Sequence, residues 1–205
     1  MSCLADTISK NSLVQVFENV LSPNAYDDFA NVVNKEYIPW YFYEMVHNTS
    51  SACDSNDIST HGFVHKFFDN NKVNSMYIFL LNPILEKLSC HFDCSIIPVR
   101  MKMNMNLNIG RQVAPYPHID KIEAIDNKYY KTAIYYINDS DGDTLFFDDA
   151  KNIVCRQTPK KNTLVLFSGD LLHSAQLPIV SPKRLVVNIN FILDKSTKGE
   201  SSAKS

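Results

Sequence analysis

The chain has 205 residues, 45% of them hydrophobic, and a net charge of −2, so a single domain with a real core is expected. The near-neutral charge, with a pI near 6.3, provides no electrostatic footprint for non-specific binding to DNA or to an anionic membrane. The most apolar stretch, "MYIFLLNPILEKL", is interrupted by Asn82, Pro83, Glu86 and Lys87; with no charged-then-apolar leader at the start, a soluble cytoplasmic protein without membrane partners is expected. Five cysteines (Cys3, Cys53, Cys90, Cys94, Cys155) lack the spacing of a disulfide framework and suit a reducing compartment.

From the N-terminus, "SPNAYDDFANVVN" predicts a helix, with Ser22 as its cap, Pro23 at the first helical position and Tyr26, Phe29, Val32 and Val33 as an apolar stripe. The aromatic segment "IPWYFYEM" follows, its rings expected in the core. The polar stretch from His47 to Thr60 then reads as a long loop and a candidate lid. In "HGFVHKFF", Gly62, Phe63 and Val64 favour a strand, on which His61 and His65 stand roughly 13 Å apart, too far for one ion. A second helix is expected from Val73 to Leu88, kinked or restarted at Pro83. "CHFDC", Cys90 to Cys94, has no second cysteine pair to complete a zinc site, so buried structural thiols are expected there.

From Ile97 the periodicity changes to two: Val99, Met101, Met103, Met105 and Leu107 alternate with Arg100, Lys102, Asn104, Asn106 and Asn108, which predicts a long half-buried strand. Shorter strands are expected at "KTAIYYIN", "DTLFFDD", "NTLVLFS" and "RLVVNINFIL", separated by "DSDG", "TPKKN" and "SPK" turns. "DSDGDTLFFDD" fails as a calcium loop, since aligning Gly142 with the loop glycine puts Ile137 at the first ligand position; a hairpin turn accounts for its acids more simply. Helices first and strands afterwards point to an α+β architecture in which helices back one face of a sandwich or jelly roll.

Within "YPHID", His118 and Asp120 project to one face of an extended chain, with α-carbons roughly 7 Å apart, a gap one metal can bridge. Alone the tripeptide is weak, because H-x-D is common. The C-terminal stretch "LFSGDLLHSAQLPIVSPKRLVVNINF" adds His173 after a strand and Arg184 at the start of the next. Two histidines and one carboxylate are the donor set of the facial triad in non-haem Fe(II) oxygenases. An arginine nearby can hold a dicarboxylate by a bidentate contact.

This ordered set, with "TAIYYIN" and "GDTLFF" between its members, resembles the 2-oxoglutarate/Fe(II)-dependent dioxygenase superfamily, and within it the compact prolyl-4-hydroxylase-like group, over Met101 to Phe191. The resemblance implies a double-stranded β-helix (jelly roll) at 97–194, supported within the same domain by helical and strand elements of 1–96, with 195–205 a disordered tail. It implies that His118, Asp120 and His173 bind Fe(II), that Arg184 and Tyr136 hold the distal carboxylate of 2-oxoglutarate with Thr132 on the same face, and that Asn108 stands near a position where relatives often carry a tyrosine. O2 is then the second cosubstrate and ascorbate a candidate reductant. The intact aspartate favours hydroxylation, since halogenating relatives replace this carboxylate with a small residue.

If Arg184 points inward, alternation sends Val186, Asn188 and Asn190 the same way, together with Asn104, Asn106 and Asn108. Such a wall suits a polar substrate or a watery pocket, unless these side chains face solvent. A protein, peptide (prolyl or other amino-acid side chain) or small-molecule substrate fits. A nucleic-acid demethylase of the same chemistry is less favoured, because arginine is scarce, and a non-catalytic β-helix binding module is the alternative from another class. No motif reads out the substrate or the oligomeric state.

Overall fold

The computed structural model describes residues 13–34, 38–43, 61–111, 113–120 and 128–194. The candidate lid at 47–60, residues 121–127 and the tail lie outside them. Eight antiparallel strands form the larger sheet, in the order β1 (Val14–Glu18), β9 (Thr163–Ser168), β6 (Tyr130–Tyr136), β11 (Lys183–Asp194), β5 (Ser95–Leu107), β3 (Gly62–Asp69) and β2 (Tyr41–Tyr43), with β4 (Lys72–Val73) paired to β3. The smaller sheet consists of β10 (His173–Ala175), β7 (Thr144–Phe147) and β8 (Ile153–Gln157). With two α-helices, α1 (Pro23–Asn34) and α2 (Asn82–Phe92), this is a mostly antiparallel architecture of the jelly-roll kind.

The period-two pattern of β5 sorts its side chains as alternation requires. Met101 and Met103 join an apolar cluster with Phe29 and Val33 of α1 and Ile84 and Leu88 of α2, while Asn104 and Asn106 are buried on the opposite face. Between the sheets, Val14, Val16, Ile134, Tyr136, Phe146, Val165, Phe167 and Val186 form a second cluster, where Phe146 meets Phe167 edge-on at 5.0 Å between centroids. Side chains of this size each contribute roughly 1.5–3 kcal/mol when fully buried. The cluster ties β7 of the small sheet to β6, β9 and β11 of the large one.

Ser22 caps α1, its Oγ accepting from the Ala25 N–H at 3.4 Å, and the Tyr26 hydroxyl donates to the Ile137 carbonyl at 2.8 Å just beyond β6. The region expected as one helix from Val73 to Leu88 is instead β4, a 3-10 turn at Met76–Leu81 and then α2. Pro83 sits in the first turn of α2, where its missing N–H costs nothing, so it starts the helix and does not kink it.

Several other expectations change. The "DSDG" acids do not shape a hairpin, because β6 and β7 belong to different sheets; Asp141 instead accepts from the N–H groups of Ile179, Val180 and Ser181 at 2.9, 2.9 and 2.8 Å. That contact pins the connection leading into β11. Tyr41 and Tyr43 are exposed, not core, since β2 is the outermost strand, whereas Trp40 packs against the main cluster. Cys90 is exposed and disulfide-bonded, which corrects the buried-thiol reading of "CHFDC" and the expectation that the cysteines suit a reducing compartment; near the end of α2 the residue faces solvent and not the core. His65 is a satisfied core histidine, donating from Nδ1 to the Pro39 carbonyl and accepting at Nε2 from Ser75, both at 2.8 Å. Among the described residues no helix is long and apolar enough to cross a membrane.

Gly169, one residue past β9, shows how tightly the fold holds the site. Its carbonyl accepts from the Asp120 N–H at 3.1 Å and its N–H donates to the Tyr130 carbonyl at 3.2 Å. The Tyr130 ring lies so close that a β-carbon on Gly169 would stand 2.1 Å from Cδ1, and the same tyrosine donates to the Asp120 carbonyl at 3.1 Å. Gly169→Ala must therefore displace Tyr130 and should lower stability by about 1–3 kcal/mol through overpacking. Denaturant unfolding tests this; a variant as stable as the parent would contradict the packing described.

Candidate metal and cosubstrate site

His118 and His173 are brought together by backbone pairing. They form an isolated antiparallel bridge that extends β10, exchanging N–H to carbonyl bonds of 2.9 Å in both directions. Their ring centroids are 4.5 Å apart. His173 Nδ1 lies 2.9 Å from the Leu171 carbonyl; a carbonyl only accepts, so Nδ1 carries a proton, and Nε2, on the Asp120 side, is the nitrogen that the neutral ring offers to a metal. Burial first, and repulsion from His173 second, push the His118 pKa down to about 3. Neutral imidazole is the form that ligates metals.

Asp120 completes the group. Its Oδ1 is 3.9 Å from His118 Nε2 and its Oδ2 is 3.6 Å from His173 Nε2, and one donor atom from each of the three residues lies within 4.8 Å of the others. Burial alone would raise the carboxyl pKa, but electrostatic attraction from the His173 and His118 rings when they are protonated, and from the Arg100 and Lys102 charges, outweighs it and holds the group ionised, below the usual carboxylate range. Its donors come from three adjacent strands: Arg100 Nη2 on Oδ1 at 3.0 Å, with Asn190 Nδ2 at 3.0 Å and Thr132 Oγ1 at 3.2 Å on Oδ2. Two neutral-capable imidazoles and a carboxylate, converging with no apolar group between them, fit a first-row divalent metal such as Fe(II).

A narrow cavity leads from the two histidines to Arg184, lined on the large sheet by Asn104, Asn106, Ile134, Val186 and Asn188 and closed on the small sheet by Thr144 and Ser174. Arg184 is 2% exposed. Its Nε donates to the Gly142 carbonyl at 2.9 Å and its Nη2 to Thr144 Oγ1 at 2.8 Å; among the described residues no carboxylate forms an ion pair with it. Tyr136 shares Thr144 as partner, Oη to Oγ1 at 2.7 Å, and its ring lies 5.7 Å from the guanidinium. Burial raises the Tyr136 pKa to about 12, so it remains a hydroxyl donor. Asn104 Oδ1 and Asn188 Oδ1 are buried acceptors without a hydrogen-bond partner among the described residues, which marks this as a cavity built for something polar.

The residues singled out from sequence thus fall into three places. His118 and His173 line one end of the cavity, with Asp120 beside them in the donor group; Arg184 lines the other, with the Tyr136 ring packed against its guanidinium but not lining the cavity. Thr132 faces the Asp120 carboxylate and does not line the cavity. Asn108 lies outside the cavity as well: it has left β5, donates to the Ile179 carbonyl at 2.8 Å and accepts from the Gly110 N–H at 2.7 Å. Asn104 and Asn106, earlier on the same strand, hold the wall. Thr144 and Arg100 were not anticipated as site residues; Asn190 was expected on the inward-facing asparagine wall, from its shared parity with Arg184 along β11, and not as a partner of Asp120.

No family model matches the chain, and no curated protein matches it. Solved structures do. An oxidoreductase of the 2OG-Fe(II) oxygenase family from Burkholderia pseudomallei superposes with a TM-score of 0.63 at 12% identity, over 94% of this chain and 93% of that one. A prolyl hydroxylase from Trichoplax adhaerens, in complex with a hypoxia inducible factor oxygen degradation domain peptide fragment, gives 0.61 at 12% over 87% and 83%. The viral collagen prolyl hydroxylase of Paramecium bursaria Chlorella virus-1, in its 2OG complex, gives 0.55 at 16% over 91% and 99%. At these identities the likeness establishes the fold, a jelly roll shared with 2OG-Fe(II) oxygenases.

The depressed His118 pKa has a consequence for the metal-free protein. The unfolded chain binds a proton on this residue near pH 6.5, whereas the folded chain binds it only near pH 3. Between these values the unfolded state carries more protons, so the stability contributed by keeping His118 neutral is present above pH 6.5 and is lost progressively as pH falls toward 3. Unfolding midpoints followed from pH 7 to pH 4 should decline less steeply in His118→Gln than in the parent; equal slopes would refute the assignment.

Proposed function

We propose that this protein is a 2-oxoglutarate- and Fe(II)-dependent oxygenase that hydroxylates a C–H bond of a peptide or small-molecule substrate. The observation carrying this reading is a single cavity lined by His118 and His173, which converge with Asp120 in a His–Asp–His donor set, and by a buried arginine that has no carboxylate ion pair among the described residues. A buried guanidinium in that state calls for an anion. A generic metal protein has no need of one there.

Fe(II), when bound, supplies the activation of O2 that couples decarboxylation of 2-oxoglutarate to succinate and CO2 with insertion of one oxygen atom into substrate C–H. The chain supplies the rest. His118, Asp120 and His173 hold the metal. Arg184 receives the distal carboxylate in a charge-assisted contact, with the Thr144 and Tyr136 hydroxyls beside it as further donors. Ile134 and Val186 give the methylenes an apolar wall, and burial of the arginine keeps water from competing for the anion. The peptide complex of the Trichoplax enzyme favours a peptide among substrate classes, and the retained Asp120 favours hydroxylation over halogenation.

Aerobic incubation with Fe(II) and 2-oxoglutarate should yield succinate at least as slow uncoupled turnover, and His118→Ala or His173→Ala should abolish it. Arg184→Ala should weaken 2-oxoglutarate binding by about 30-fold or more, on the order of 2–5 kcal/mol, with metal affinity nearly unchanged. Arg184→Lys should be intermediate, since lysine restores charge but not the planar fork; Tyr136→Phe and Thr144→Val should each cost less, about one hydrogen bond. Anaerobic titration with Mn(II) in place of Fe(II) measures these affinities. Unimpaired binding in Arg184→Ala would remove the cosubstrate assignment.

A further inference from the structure

We propose that Thr132 and Asn190 act as positioning residues that restrict Asp120 to binding metal through a single oxygen, Oδ1. The inference rests on the metal reading above, and it comes from counting hydrogen bonds. An ionised carboxylate offers about four lone-pair positions, two on each oxygen. Oδ2 uses both, accepting from Asn190 Nδ2 at 3.0 Å and from Thr132 Oγ1 at 3.2 Å. Oδ1 uses one, accepting from Arg100 Nη2 at 3.0 Å. One position remains, and it is on Oδ1.

The direction of every hydrogen bond in this group is fixed by its neighbours. Arg100 Nε lies 3.0 Å from Asn190 Oδ1; arginine has no acceptor, so the Asn190 oxygen must face it and the Nδ2 must face Asp120. The second Asn190 N–H goes to Thr132 Oγ1 at 3.0 Å, which leaves the threonine proton for Asp120. No alternative orientation of the amide satisfies the guanidinium. Asn190 and Thr132 are fully inaccessible and Asp120 is buried, while the Arg100 side chain is partly exposed, so water cannot substitute for a lost Oδ2 donor without rearrangement. Sheet register assembles the group: Asn190 stands opposite Arg100 of β5 on one side and Thr132 of β6 on the other.

The chemical consequence concerns open coordination positions. A six-coordinate ion held by two imidazoles and one carboxylate oxygen keeps about three positions free, enough for a two-point chelate and a third ligand; a carboxylate binding through both oxygens leaves about two. Thr132 and Asn190 therefore keep a position open by occupying Oδ2. Arg100 has a different task, since its removal frees only a second lone pair on Oδ1 and leaves Oδ2 saturated.

The test uses Mn(II) alone, so that it does not depend on 2-oxoglutarate. Water-proton relaxation of the Mn(II)-loaded full chain counts exchangeable waters on the ion: about three are expected for the parent and for Arg100→Met, and about two for Thr132→Val/Asn190→Leu, a fall of roughly one third in relaxivity. Thr132→Val alone, nearly isosteric, shifts the count in the same direction if the double variant does not fold, and Thr132→Ser, which keeps the hydroxyl, restores the parental value. A parental water count in both Thr132→Val and the double variant, with Mn(II) bound as tightly as in the parent, overturns the inference while leaving the metal site intact. Failure of the parent to bind Mn(II) overturns the metal reading itself, and this inference with it.

Discussion

A carboxylate buried between two sheets must be compensated, and much of the architecture around the site follows from how Asp120 is. Desolvation of such a group costs several kcal/mol unless donors replace water. Here they come from the side chains of β5, β6 and β11, which are neighbours in the large sheet, while two backbone contacts fix the chain at Asp120 itself: its N–H to the Gly169 carbonyl and its carbonyl to the Tyr130 hydroxyl. The small sheet contributes the imidazoles. The metal donor set therefore straddles the two sheets, and the fit of Phe146 against Phe167 between them sets how closely the two halves approach.

The opposite end of the cavity has the reverse electrostatic problem. Arg184 is a buried cation whose contacts are a carbonyl, a hydroxyl and an aromatic face, all neutral. Gly142 belongs to this solution: a β-carbon there would stand 2.5 Å from the Gln176 carbonyl and 3.2 Å from the arginine side chain, so only glycine lets the backbone carbonyl come within reach of Nε. Asp141, next to it, spends both oxygens on the 179–181 loop; Asp143 attracts the guanidinium only at longer range, and among the described residues no carboxylate forms an ion pair with it. One strand, β11, thus carries Arg184 toward the anion end and Asn190 toward the metal end. Their shared face is a direct result of period-two geometry.

What could be read from the residues alone divides along the same line between local and non-local information. The spacing of His118 and Asp120, the alternation along β5 and the capping of α1 are local patterns, and they place the strand faces and helix start where the structure has them. Strand β8 has mostly exposed side chains and so lacks hydrophobic periodicity, and β10 has three residues; neither leaves a signal in sequence. The "DSDG" acids misled because a turn-like composition does not say whether the chain stays in its sheet or crosses to the other. Thr132 shares a face of β6 with Tyr136 by alternation, yet its partner is the Asp120 carboxylate, because pairing register against β11 is not written in either strand separately.

Register also explains why the asparagines, alike in sequence, differ in role. Asn190 falls beside Arg100 and Thr132, and its amide is fully used. Asn188, one step inward, falls between Lys102 and Ile134, and Asn104 falls beside Val186; both retain a buried Oδ1 with no donor among the described residues. A dicarboxylate with a keto group is acceptor-only and cannot satisfy those oxygens. A ligand of that kind can rest on this wall only through the Nδ2 side of each amide, or through a water that donates to the asparagine oxygen with one hydrogen and to the ligand with the other. The strong anion contacts must then come from Arg184, Thr144 and Tyr136, which makes the arginine end the anchor and the asparagine wall an adjustable surface between the anchor and the metal.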